Sequence, residues 1–79
     1  MHIRDMRRLP YSERRRITAE IGKHDRLAEQ VLRYAFCGRR PCSWAKVAML
    51  IGGNNTPDGV RMIAARVLAD IPLQKEKGQ

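Results

Sequence analysis

The side chains in this sequence with the greatest capacity for chemistry are its basic ones. Six arginines, Arg4, Arg7, Arg8, Arg14, Arg15 and Arg16, fall within the first sixteen residues, more than solubility requires. Residues 1–46 hold twelve Lys and Arg against five Asp and Glu, whereas residues 47–79 hold four against three, so nearly all of the +8 net charge lies in the first half. Such a balance favours a polyanionic or acidic partner: nucleic acid, an acidic protein surface or an anionic membrane. Catalytic ingredients are sparse by comparison. His2 and His24 stand alone, with no carboxylate at a spacing that implies a site. Cys37 and Cys42 form a C-x4-C pair at the edge of the zinc-binding range, with no second ligand pair after it. Gly52-Gly53 lacks the preceding strand and following Lys-Ser/Thr of a phosphate loop. We therefore expect a binding protein and not an enzyme, with no metal and no cofactor.

Those side chains need a scaffold, and the clearest one is the stretch from Ser43 to Ala69. Trp44, Val47, Ala48, Leu50 and Ile51 recur at three- and four-residue steps along a helix begun by Ser43 and stopped by Gly52-Gly53. Thr56 is a good N-cap, Pro57 suits the first helical position, and Asp58 complements the positive end of a second helix that starts at Pro57. Val60, Ile63, Ala64, Val67 and Leu68 form the apolar side of that helix, so it packs on the first.

This unit resembles the helix-turn-helix of DNA-binding regulators, most closely the C-terminal domain of bacterial sigma factors and small phage regulators with that pattern. Ala48, Gly52 and Val60 can take the places of the family's small residue, turn glycine and buried aliphatic. The turn departs from the family, being about two residues longer than the tight form. An ordinary αα-hairpin in a small helical bundle is the plainer alternative. The resemblance implies double-stranded DNA as partner and a role in transcription regulation. Arg61 and Arg66, away from the apolar stripe, with Met62 and Ala65 beside them and Asn55 and Asp58 near the helix start, are the candidate base contacts. Arginine can read guanine, asparagine adenine, and alanine or methionine can lie against thymine methyls. Phosphate anchoring then falls to Arg7, Arg8, Arg14, Arg15, Arg16, Lys23, Arg39, Arg40 and Lys46. One short helix rarely buries enough surface for tight specific binding, so a homodimer or action beside another protein is expected. The competing reading is a small basic protein that docks on RNA polymerase or another acidic protein surface and changes its activity. Many of the same charges would be a solvated helix face if they pair locally, as Arg16 with Glu20 and Glu29 with Arg33 could at i,i+4.

For the rest of the chain, residues 1–11 read as a flexible basic arm interrupted at Pro10. Ser12 can cap a helix carrying Ile17 and Ile21, and Gly22 to Asp25 can divide it from a second one carrying Ala28, Val31 and Ala35; one helix or two is left open. Gly38 and Pro41 end that segment. Residues 72–79 read as a flexible tail. Residues 12–71 are thus an all-α domain of three or four helices. Its expected core joins Val47, Ala48, Leu50, Ile51, Val60, Ile63, Val67 and Leu68 with Ile21, Val31 and Phe36. No segment approaches about 18 uninterrupted apolar residues, and an apolar signal core is missing from the N-terminus, so a cytoplasmic protein without a membrane span and with reduced cysteines is expected.

Overall fold

The computed structural model describes residues 1–40 and 42–71. The expected tail, residues 72–79, lies outside them. The described chain is all-α, with five helices: α1 (Ile3–Arg8), α2 (Tyr11–Gly22), α3 (Arg26–Phe36), α4 (Trp44–Ile51) and α5 (Pro57–Ala69). No helix among the described residues is long and apolar enough to cross a membrane.

The expectation of a flexible arm over residues 1–11 is corrected by α1. The Nδ1 of His2 accepts from the Arg4 amide at 3.2 Å, and the His2 amide donates to Asp5 Oδ2 at 3.0 Å, so two otherwise unpaired amides at the helix start are satisfied reciprocally. Met6 then anchors the helix, with no exposed surface. The Met1 amino group donates to the carbonyls of Leu68 and Ile71 at 3.0 and 2.7 Å, tying this segment to the end of α5. Pro10 does not interrupt a helix; it stands between two. It occupies the N-cap of α2, which begins at Tyr11 without a side-chain cap, so Ser12 is inside the helix and is not its cap.

Residues 11–36 are two helices. The Asp25 side chain accepts from the Ala28 amide at 3.0 Å and opens α3. α2 and α3 lie antiparallel, with Gly22 beside Glu29 and Thr18 beside Cys37. A Cβ on Gly22 would come within 2.5 Å of the Glu29 side chain, so the bare backbone there allows close approach. α3 also packs on α4 and α5, and α4 packs on α5. The core comprises Met6, Ile17, Ile21, Ala28, Val31, Leu32, Ala35, Phe36, Val47, Ala48, Val60, Ala64 and Leu68. Leu50, expected inside, is 45% exposed, while Ile51, Ile63 and Val67 are partly buried at the edge. The inward line of α5 is Val60, Ala64 and Leu68, spaced by four, because alanine at its middle lets the helix sit close to its neighbours.

Candidate nucleic-acid interface

The α4–turn–α5 unit forms from local signals. Ser43 Oγ accepts from the Lys46 amide at 3.2 Å to start α4, and Gly52 and Gly53, with φ of 79° and 68°, stop it in a conformation that side chains with a Cβ resist. Thr56 Oγ1 accepts from the Gly59 amide at 3.0 Å, and Pro57 takes the first position of α5. The longer turn is closed by Asn55, whose Nδ2 donates to the Gly52 carbonyl at 2.7 Å. That bond gives Asn55 a structural task in the turn and uses one of its two amide N–H donors.

Seating Val60, Ala64 and Leu68 inward turns Asp58, Arg61, Met62 and Arg66 to solvent, with Ala65 partly covered. Five of the six candidate base contacts are therefore gathered on α5. Arg61 is not free, since its guanidinium meets Asp58 Oδ1 at 2.9 Å. This pair is exposed at both ends, so it is worth no more than about 1 kcal/mol and can open.

The candidate phosphate contacts divide into groups. Arg8, Arg40 and Lys46 are exposed in α1, in the α3–α4 loop and on α4. Lys23 stands at the far end of α2 beside Glu20, at 3.4 Å. Arg16 pairs with Glu13 at 2.8 Å instead of Glu20, and the hydrogen bond from Arg16 holds the Glu13 carboxyl below the usual carboxylate range. The Glu29–Arg33 pair is present at 2.6 Å. Arg14 is the strongest departure from expectation. Its Nε donates to the Phe36 carbonyl at 2.8 Å and its Nη1 to the Leu9 carbonyl at 2.6 Å. Leu9 is the C-cap of α1 and Phe36 the last residue of α3, so one cation satisfies the exposed carbonyl ends of two helices.

Around Arg14 the structure gathers Arg7, Arg15 and Arg39. Arg7, Arg14, Phe36, Gly38 and Arg39 line one open groove, and Tyr11, Arg14, Cys37 and Arg39 line its continuation. A third, with Tyr11, Arg15, Thr18, Arg33 and Cys37, extends it along α2. None of the described residues lining the three is acidic. The half-exposed Tyr11 ring has the Arg14 and Arg15 guanidinium carbons 5.7 and 5.9 Å from its centroid, at distances that suit cation–π attraction. Thr18 Oγ1 donates to the Arg14 carbonyl at 2.8 Å, which leaves the Cys37 thiol to donate to Thr18 across 3.4 Å. Sequence reasoning missed Tyr11 as an organiser, although its spacing of three and four residues from Arg14 and Arg15 is the spacing at which helix side chains meet. Comparison with protein families, with curated proteins and with solved structures finds no match for this chain.

Proposed function

We propose that the protein is a small DNA-binding transcription regulator in which α5 lies in the major groove. The observation that carries this reading is the division of α5 into two sides: Val60, Ala64 and Leu68 hold it on α3 and α4, while Arg61, Met62 and Arg66 face outward over its first three turns. A helix so supported can present side chains to base edges without losing its own packing. The surplus of positive charge in the first half of the chain supports a polyanion as partner and supplies the non-specific attraction.

The test is selection of a preferred site from randomised duplex DNA, followed by affinity measurements on that site and on random duplex. Arg61→Ala should cost about 1–3 kcal/mol on the selected site and much less on random DNA, as loss of a base contact removes discrimination. Equal losses on both would make Arg61 a phosphate contact, and failure to select any site would sink the reading. A second reading, docking on RNA polymerase or another acidic protein, is favoured by Met49, Leu50 and Met62, which are 68%, 45% and 50% exposed on this same hairpin. Under it, Met49→Ser would weaken a complex with polymerase and leave DNA binding unchanged.

A further inference from the structure

We infer that the arginine-lined groove at the α1–α2 corner is the polynucleotide phosphate clamp of this protein, with Arg7, Arg15 and Arg39 as its contacting cations and Arg14 as the positioning residue. The inference rests on the nucleic-acid reading above but not on α5 as the reading helix. Three observations meet here. The groove draws its cations from three separate segments, the last turn of α1, the first turns of α2 and the loop after α3, so their convergence is a product of the fold and not of a sequence run. No described lining residue is acidic, in contrast with Arg16, Lys23, Arg26 and Arg61 elsewhere, each of which meets a carboxylate within 4 Å. Arg33 alone lines the groove and is paired, at its edge.

The third observation is that the centre of the groove, Arg14 and Arg15, is held in place before any ligand arrives. Arg14 is held by two backbone carbonyls and by the Tyr11 ring, and the same ring steadies Arg15. Only two of the five guanidinium N–H donors of Arg14 are used in those bonds, so its charge still contributes to the field in the groove. A phosphodiester oxygen there meets Arg15 already seated against the Tyr11 ring beside the fixed charge of Arg14, and the exposed Arg7 and Arg39 side chains close on it. The preset, multi-segment arrangement fits a chain of phosphates better than a single small anion, because the grooves run on from Arg7 past Arg14 and Arg39 to Arg15.

The experiment measures affinity of the whole protein for a short mixed-sequence duplex by fluorescence anisotropy between about 50 and about 200 mM salt. Arg7→Ala, Arg15→Ala and Arg39→Ala should each weaken binding roughly tenfold near 0.1 M salt and lower the salt slope by about 1, whatever the sequence. All three side chains are outside the core, so circular dichroism should show unchanged helix content. Arg26→Ala is the control: it removes the same charge at the far end of α3, from a side chain that is 89% exposed, and should leave the slope unchanged. If Arg26→Ala lowers affinity and slope as much as the groove variants, binding is diffuse and the clamp is overturned. If Arg61→Ala and Arg66→Ala change nothing even on the selected site while the groove variants weaken binding to every duplex, the reading of α5 fails and the clamp stands. Absence of any duplex binding by the wild-type protein at the lowest salt overturns both.

Discussion

At the scale of single residues, Arg14 shows how a cation that looks free in a sequence can be committed by a fold. Its two charge-assisted bonds to the Leu9 and Phe36 carbonyls are partly buried, and a bond to a charged group is worth about 1.5–3 kcal/mol, so Arg14→Ala should destabilise the protein by that order in urea unfolding. Arg14→Lys should recover less than half of the loss, since one ammonium cannot span both carbonyls in the way the planar fork does. Stability equal to wild type in Arg14→Ala would remove its capping role. Asp58 makes a different point. It lowers the positive potential on the outer side of α5 and holds Arg61 at 2.9 Å. Asp58→Asn should therefore tighten binding to any duplex by about threefold at low salt, a gain that shrinks as salt screens it. The role of Tyr11 went unread although its spacing to Arg14 and Arg15 carries the signal, whereas that of Arg14 has no such signal. Which backbone carbonyl comes within reach of a guanidinium is decided by how three segments pack, and no local pattern encodes it.

At the scale of elements, the boundaries that rest on local chemistry were readable. Ser43, Asp25 and Thr56 each accept the amide bond that their positions imply, and Gly52 and Gly53 carry the positive φ that ends α4. α1 was hidden because its cap is a histidine paired with Asp5, not the Ser/Thr form, and because Pro10 reads as a breaker when it is a junction. The helical phase of α5 was hidden for a different reason. Ile63 and Val67 outweigh Ala64 in hydrophobicity, yet Ala64 has no exposed surface and the larger pair sits at the edge. Leu68→Ala should accordingly cost about 3–5 kcal/mol and Ile63→Ala about 1–2 kcal/mol, measured by chemical denaturation. The reverse order would mean that the inward side of α5 runs through Ile63.

At the scale of the whole molecule, the densest charge lies away from the hairpin: α4 and α5 carry Lys46, Arg61 and Arg66 against Asp58, while the arginines crowd the corner where α1, α2 and the end of α3 meet. The surplus in the first half of the chain was visible in the sequence, but its focus into a groove was not, since Arg7, Arg15 and Arg39 are brought together only by the docking of α1 and the antiparallel run of α2 and α3. That docking depends on Met6, and it has a practical outcome in sulfur chemistry. The chain has four methionines, of which Met49 and Met62 are 68% and 50% exposed and Met6 not at all. Under dilute hydrogen peroxide the two exposed thioethers should become sulfoxides at nearly the rate of a free peptide, while Met6 can react only when α1 lifts away. An opening that costs about 2 kcal/mol would slow Met6 roughly thirtyfold relative to Met49, as read by peptide mass spectrometry. Comparable rates for the two would mean that α1 is not docked in solution. Because Arg7 is on the same helix as Met6, a duplex held in the groove should slow the Met6 reaction further, making peroxide a label-free clock for both the packing of α1 and the ligand that clasps it.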